Sequence, residues 1–382
     1  MSKQLRIWLF ALLGTLLATS SLLAEGGITM TTSKRVGERI SLQIEANGNV
    51  TIDGAQETGQ TNEDGQKYYT IENQTITIRG DVTELNCSFS SLTSLDVSKN
   101  TALTKLNSYE NQLISLDVSK NTALRYLDCG LNKLTSLDVS KNIALTSLGC
   151  QANQLTSLDV SKNTALTEIV CYLNELTSLD VSKNIALTGL DCSGNELTSL
   201  DVSKNIALTE LSCYNNQLTS LDLPESTILE TLYCSDNQLA SLNLPNSTAL
   251  TTLDCSFNQL TSLDVSKNTA LTELGCNGNQ LTSLDVSKNT ALTELDCNGN
   301  KLTNLNISGC ARLEVLFCFS NCINGKAMTK LVNSLPNRRG MAHGTVFLVD
   351  RSSKKKDKNR CSAADVTTAK KKNWEVGQLR AF

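Results

Sequence analysis

A ladder of cysteines with a step of 21 residues is the feature that most constrains the fold of this chain. An asparagine stands three residues after each rung from Asn111 to Asn321, whereas Ser90 takes that place after the first rung. Ser108 fills the one gap inside the cysteine ladder. Self-similarity at this period predicts a solenoid, in which stacked repeats share one continuous core. The cysteines of the ladder are Cys87, Cys129, Cys150, Cys171, Cys192, Cys213, Cys234, Cys255, Cys276, Cys297 and Cys318.

The repeat unit reads LxxLxCxxNxLxxLDVSxNxA over roughly residues 82–322. In LxxLxC the second Leu and the Cys alternate with polar residues, so both are expected to point inward from a short strand. The LDVSKN half alternates in the same way and lacks the length and period of a helix. The asparagine is expected at a turn, where its amide can bond backbone groups that no regular ladder satisfies. The pattern predicts a solenoid of about 12 parallel β coils, with short extended segments on both faces.

These motifs resemble the leucine-rich repeat family, with Cys where a third Leu often stands, and within it the internalin-like class. The flanks resemble those of exported leucine-rich repeat proteins from bacteria of the Bacteroidetes type, on phrases such as MTTSKRVGERISLQI and MTKLVNSLP. The resemblance implies a cell-surface or secreted interaction protein.

Residues 1–24 are predicted to be a cleaved signal peptide. Lys3 and Arg6 supply the positive start, an apolar run follows, and Ala24 is the expected last residue before cleavage. The alternative is a transmembrane anchor, but the apolar run is short for a bilayer and no charge cluster follows it. We therefore expect an exported protein without a transmembrane segment, at the cell surface, in the periplasm or secreted.

The two ends of the solenoid are expected to be closed by caps. Residues 25–81 carry short alternating runs that predict a small β cap, and Asn47-Gly48 favours a type I′ hairpin turn between two of them. Residues 323–382 predict a basic α/β cap, since they carry 14 basic and 4 acidic side chains. Its predicted helices cover 325–335 and 362–372, and its predicted strands cover 345–350 and 374–379.

The sequence contains no known catalytic signature, so we expect a non-enzymatic protein with no catalytic residue, no metal site and no cofactor. Its single histidine, His343, excludes a multi-histidine metal site. The ladder thiols are expected to be small apolar core residues with a raised pKa and little reactivity. The repeated Asp of LDVSKN gives a column of identical carboxylates, whereas catalysis needs two in different environments.

Three cysteines, Cys310, Cys322 and Cys361, lie off the ladder. A disulfide between Cys322 and Cys361 could tie the C-terminal cap to the last coil. A zinc site that uses His343 is less favoured, because no CxxC spacing exists.

The outward positions beside Leu and Cys in LxxLxC vary between repeats, whereas the LDVSKN side barely varies. They form three columns on one face, and five of the seven tyrosines of the chain lie there. Tyrosine joins a large contact area to a polar tip and is enriched in interfaces. We interpret these columns as a ligand-binding face; the alternative is neutral drift of exposed positions after duplication. The candidate residues are Tyr109, Tyr126, Tyr172, Tyr214, Tyr233, Glu168, Glu210, Phe317 and Phe319.

Two functions are consistent with this reading. The first is an exported protein–protein interaction or adhesion module, whose ligand is a protein on a host or bacterial surface. The alternative is a carbohydrate-binding or purely structural cell-surface protein, in which tyrosines stack on sugar rings. Nucleic acid is not an expected partner, because the chain is expected to be exported and its lysine run has no aromatic platform beside it.

Overall fold

The computed structural model describes residues 27–350 and 357–377, so the predicted signal peptide lies outside the described residues. The chain divides into two compact units, the N-terminal unit (Met1–Ala165) and the C-terminal unit (Leu166–Phe382). In both units, LxxLxC segments 21 residues apart pair as parallel strands, Leu opposite Leu. The predicted parallel β solenoid is confirmed.

The N-terminal unit contains a β cap followed by stacked coils. The cap strands are β1 (Gly27–Thr32), β2 (Arg39–Ala46), β3 (Thr51–Asp53), β4 (Ala55–Thr61), β5 (Lys67–Ile71) and β6 (Thr75–Arg79). The coil strands are β7 (Val82–Asn86), β8 (Leu92–Asp96), β9 (Lys105–Asn107), β10 (Tyr126–Asp128) and β11 (Ser147–Gly149). Strands β7, β9, β10 and β11 form one parallel ladder.

The β cap extends both sides of the first coil. Strand β2 pairs antiparallel with β7, and β1 pairs antiparallel with β8. The cap therefore covers the apolar end of the coil stack, and its own core residues Ile28, Met30 and Leu42 are fully buried. Such covering is what a solenoid needs at a terminal coil.

The expected hairpin at Asn47-Gly48 is wrong. Strand β2 pairs with β5 and β7, whereas β3 pairs with β6 in the other sheet. The Asn47 backbone N–H donates to the Asp81 carbonyl oxygen at 2.9 Å, and Asn47 Nδ2 lies 3.1 Å from Asp81 Oδ2. The chain passes at this point from one sheet to the other, because each sheet must continue a different side of the first coil.

The C-terminal unit contains two sets of coil strands. The LxxLxC strands are β12 (Glu168–Val170), β13 (Gly189–Asp191), β15 (Glu210–Ser212), β17 (Thr231–Tyr233), β18 (Thr252–Asp254), β19 (Glu273–Gly275), β21 (Glu294–Asp296) and β23 (Val315–Phe317). The strands of the LDVSKN half are β14 (Ser199–Asp201), β16 (Ser220–Asp222), β20 (Ser283–Asp285) and β22 (Asn304–Asn306). Strand β14 pairs with β16, and β20 pairs with β22. These strands therefore form two separate two-stranded sheets, whereas the LxxLxC strands form a longer ladder.

The C-terminal cap continues the parallel ladder. It consists of α1 (Gly325–Ser334), β24 (Gly344–Phe347), α2 (Ala363–Lys371) and β25 (Trp374–Val376). Strand β24 pairs with β23, and β25 pairs with β24. Helix α2 starts with a capping box, in which the Asp365 backbone N–H donates to Ser362 Oγ at 3.1 Å and the Ser362 N–H donates to Asp365 Oδ2 at 3.0 Å. The predicted α/β cap is confirmed, whereas Cys322–Cys361 pairing stays a prediction.

The ladder cysteines lie in the core. All eleven are fully buried beside the leucines of their coils. Burial raises the pKa of the Cys87 thiol to about 12. Burial, with a smaller contribution from Asp191, likewise raises the pKa of Cys213 to about 12. These thiols are therefore protonated at neutral pH and act as small apolar side chains.

The asparagine three residues after each rung joins neighbouring coils. At Asn258, Nδ2 lies 3.0 Å from the carbonyl oxygen of Cys234 in the preceding coil and 3.2 Å from that of Cys255 in its own coil. Its Oδ1 accepts the backbone N–H of Leu239 at 2.9 Å. One buried amide thus satisfies backbone groups of two coils, as predicted for this position.

The last of these asparagines comes from a distant part of the chain. Asn359 is buried, and its Nδ2 lies 2.8 Å from the carbonyl oxygens of both Cys318 and Leu348. Its Oδ1 accepts the backbone N–H of Ile323 at 2.8 Å. Asn359 therefore makes the same backbone hydrogen bonds for β24 that a ladder asparagine makes for its own coil. The cap thus continues the solenoid by one further strand with the same hydrogen-bond pattern.

A second asparagine column, which the sequence analysis did not assign, lies in the LDVSKN half. Asn121 is fully buried, and its Nδ2 donates to the carbonyl oxygens of Val97 at 3.0 Å and Asn100 at 2.8 Å. Cys310 stands 21 residues after Asn289, and its Sγ lies 3.3 Å from the Val286 carbonyl oxygen. The off-ladder Cys310 therefore occupies a place in this column.

We predict that Asn258→Ala destabilises the protein by about 3 kcal/mol, because it leaves buried backbone groups of two coils without partners. The free energy of unfolding in urea measures the effect. Asn243→Ala is the matched control, since Asn243 is exposed and should change stability by less than about 0.5 kcal/mol. Equal effects of the two substitutions would contradict the role assigned to the ladder.

We also predict an alkaline loss of stability that Cys213 contributes to. The pKa of an unfolded thiol is about 8.5, whereas the pKa of the folded Cys213 thiol is about 12. The stability that the protonated thiol contributes is therefore fully present below about pH 8.5 and is lost as the pH rises towards 12. Between these values the unfolding free energy of the parent protein should fall more steeply than that of Cys213→Ala, by about 1.4 kcal/mol per pH unit. Ser235→Ala is the control and should keep the parent slope; a parent slope in Cys213→Ala would refute the assignment.

Candidate ligand-binding face

The variable face consists of the outward residues of the LxxLxC strands, together with the residue that follows each Cys. Parallel pairing in register places equivalent residues of successive coils side by side, as for Glu210 and Thr231 or Glu273 and Glu294. Neighbouring coils are spaced at about 4.8 Å in such a ladder. The face is therefore a regular array in which the backbone repeats and the side chains differ.

The predicted site residues occupy this face in both units. Tyr109 and Tyr126 lie in the N-terminal unit and are half-buried. In the C-terminal unit, Tyr214 is 43% exposed and Tyr233 is 38% exposed, on adjacent coils. The remaining members of the set lie in the C-terminal unit: Glu168 and Glu210 are exposed, and Tyr172, Phe317 and Phe319 are half-buried.

Phe317 already has an aromatic partner in the C-terminal cap. Its ring stacks on that of Phe347 in β24, with centroids 5.0 Å apart and planes 17° apart. This geometry is typical of a stabilising aromatic pair. Phe317 therefore holds the cap against the last coil, and Tyr214 and Tyr233 present the more accessible rings.

The charge of the variable face differs between the two units. In the N-terminal unit, Glu84 and Lys105 on adjacent strands form an ion pair at 2.9 Å. In the C-terminal unit, from β12 to β23, the face contains acidic residues and neither Lys, Arg nor His. The acidic residues are Glu168, Asp191, Glu210, Asp254, Glu273, Glu294 and Asp296.

The carboxylates of β19 and β21 crowd one another. Burial raises the pKa of Glu294, and the neighbouring charges of Glu273 and Asp296 raise it further. Burial also raises the pKa of Asp296, against hydrogen bonds from Asn298 that lower it. A column of like charges at strand spacing is self-repelling, so a nearby cation would stabilise it.

A fourth column, which sequence reasoning missed, borders the variable face. The residue immediately before each ladder asparagine, or before Ser90 in the first coil, turns the chain in the left-handed region, and we name these positions the turn column. Four of them carry large exposed apolar side chains with φ between 50° and 58°: Phe89, Leu131, Leu173 and Phe257. The left-handed conformation destabilises a residue that has a Cβ by roughly 1 kcal/mol. An apolar side chain that stays exposed gains no burial free energy to offset this cost.

Two of these apolar side chains lie across a glycine of the next coil. A Cβ at Gly278 would be 2.7 Å from Phe257 Cδ1, and a Cβ at Gly194 would be 2.9 Å from Leu173 Cδ2. Any other residue at these glycines would displace the apolar side chain. Phe257 and Leu173 therefore lie along the surface at the border of the variable face.

The LDVSKN side of the coils consists mostly of a repeated structural motif. Eight of the repeated aspartates accept the backbone N–H of the Ser two residues later, as from Ser266 to Asp264 Oδ1 at 2.9 Å, and this hydrogen bond lowers the pKa of Asp264. The near-invariance expected of this side fails in three coils, because SKN is replaced by SGC at 308–310 and by PES and PNS in the two adjacent coils that carry Pro224 and Pro245. There, Ile206, Pro224 and Pro245 line a groove of about 660 Å³.

Two further observations concern the residues that the structure describes. Within 27–350 and 357–377, no group of three or more His, Cys, Asp or Glu side chains is arranged to hold a metal ion. No helix in the same residues has the length and apolar character needed to cross a membrane.

Comparisons with known proteins agree with this architecture. A family model for leucine-rich repeats (two copies) matches residues 227–268. The functional domain of InlJ from Listeria monocytogenes, which includes a cysteine ladder, is 34% identical with a TM-score of 0.50, over 75% of this chain and 79% of that one. The search of curated proteins found no match.

Two structures with lower identity share the fold. The leucine-rich repeat domain of APL1B is 20% identical with a TM-score of 0.61, over 78% of this chain and 90% of that one. The APL1 leucine-rich repeat domain is 22% identical with a TM-score of 0.55, over 66% and 70%. With its 21-residue repeat, cysteine ladder and parallel β coils, the chain belongs to the leucine-rich repeat family, in its internalin-like class.

Proposed function

We propose that this protein is an exported, non-enzymatic module that binds a protein ligand through its variable face. One observation carries the proposal: coils with the same backbone hydrogen bonds present different, partly aromatic side chains at the outward positions of the LxxLxC strands. A purely structural array would gain nothing from exposed Tyr214 and Tyr233. Export is supported by residues 1–24 and by the likeness to InlJ.

We further propose three parts of the chain: an N-terminal cap at 25–81, the solenoid at 82–322 and a basic C-terminal cap at 323–382. An array of paired strands suits a protein ligand because it offers many neighbouring contact positions at once. Binding energy in such interfaces is concentrated in a few aromatic anchors. Tyr214 and Tyr233 are the expected anchors in the C-terminal unit.

Carbohydrate binding is the second candidate. The exposed rings of Tyr214 and Tyr233 on adjacent coils could stack on neighbouring sugar units, and nearby carboxylates could bond hydroxyl groups. A glycan site would depend on one or two rings, whereas a protein interface would extend over several coils.

We predict that Tyr214→Ala/Tyr233→Ala weakens binding by about 30-fold or more, because each lost anchor ring costs about 1–2 kcal/mol. The full protein is screened against extracellular proteins and a glycan panel, and the affinity of any hit is then measured for both forms. The control is Ile185→Ala/Ile206→Ala, which removes side chains that are 61% and 63% exposed on the LDVSKN side. Unchanged binding by the tyrosine variant, or equal losses in both variants, would contradict the proposal.

A further inference from the structure

The strongest unexplained feature of the C-terminal unit is that its unpartnered strand face combines unbalanced negative charge with exposed apolar side chains. From β15 to β21, the variable face holds Glu210, Asp254, Glu273, Glu294 and Asp296 and no cationic residue. Phe257 borders the same strands and is 55% exposed. These strands span about 20 Å at the usual strand spacing.

We propose that this face, β15–β21 with Phe257, binds a cationic protein segment whose Lys or Arg side chains alternate with apolar ones. The inference rests on the proposed function and names the class of ligand. Charge complementarity selects this occupant, because an anionic or neutral partner would leave the crowded carboxylates of Glu273 and Glu294 uncompensated. A guanidinium or ammonium group between them would relieve that repulsion.

Phe257 supplies the apolar part of the recognition. Its side chain is exposed at a backbone position with φ 52° that favours Gly or Asn, and Gly278 leaves room for its ring. The fold itself accepts Asn215 and Gly194 at equivalent positions, so the coil does not need an aromatic ring there. An apolar side chain of the ligand that covers Phe257 would remove both surfaces from water.

The N-terminal unit provides the contrast. There Lys105 neutralises Glu84 across adjacent strands, and Tyr109 packs edge-on against Phe89 with ring centroids 5.7 Å apart. Charge and apolar surface are thus partly satisfied within that unit. The proposal therefore assigns cation recognition to the C-terminal unit.

The test uses the full protein and three synthetic peptides of equal length, which alternate Lys with Leu, Lys with Ser, or Glu with Leu. Fluorescence anisotropy measures the affinities at low and high salt. We expect the Lys/Leu peptide to bind most tightly and the Lys/Ser peptide several-fold more weakly. Binding of Lys/Leu should weaken at least about tenfold between 50 and 500 mM NaCl, and Glu/Leu should not bind. Equal binding of Lys/Leu and Glu/Leu would overturn the proposal.

Two variants locate the site. Glu273→Gln/Glu294→Gln should weaken Lys/Leu binding about tenfold by removing two charges, and Phe257→Asn should weaken it about fivefold while keeping a residue suited to the turn. The matched controls are Glu225→Gln and Ile206→Asn, both exposed on the LDVSKN side, and they should bind as the parent does. Control variants that lose as much affinity as the site variants would overturn the assignment of this face.

The two proposals can fail separately. If a captured protein depends on Tyr214 and Tyr233 while no Lys/Leu binding is seen, the interaction module stands and the cationic ligand is wrong. If the Lys/Leu peptide binds through Glu273, Glu294 and Phe257 while the tyrosine variant keeps its captured ligand, the anchors named under the proposed function are wrong.

Discussion

The ladder of buried asparagine amides is the interaction on which the rest of the structure depends. Each amide bonds backbone groups of its own coil and of the coil before it, as Asn258 does with Cys255, Cys234 and Leu239. Turns repeated at every coil would otherwise bury unpaired polar groups, which is costly. Because the amide fixes the coil-to-coil contact from inside, the stack does not depend on which residues point outward from the strands, and these residues are free to differ.

This separation of roles explains how one repeat can support recognition. The Leu, Cys and Asn side chains of each coil hold the stack, while outward strand positions and the turn column hold Tyr214, Tyr233 and Phe257 at a fixed spacing. A ligand then meets side chains on a rigid array and orders little backbone on binding. The domain of InlJ also includes a cysteine ladder, so a core of this kind is known in another member of the family. The ligand depends on residues outside that core.

Sequence reasoning recovered the features that repeat. The 21-residue period predicted the solenoid, the buried thiols and the role of the asparagines, and local patterns predicted α1, α2 and the cap strands. It failed where the outcome depends on distant pairing: Asn47-Gly48 joins two sheets, and Asn359 completes a ladder from 38 residues beyond Asn321. The turn column had a signal, since Gly194, Asn215 and Gly278 share it with Phe257, but the exposure of that ring required the structure.

The central claim is that recognition lies on the variable face while the LDVSKN side is scaffold. Hydroxyl-radical footprinting of the full protein, free and with a captured protein ligand, tests it most directly because it reports the solvent access of individual side chains. We predict protection of Tyr214, Tyr233 and Phe257 in the complex, with Ile185 and Ile206 labelled as in the free protein. Protection of the two isoleucines without protection of the three aromatic rings would contradict it.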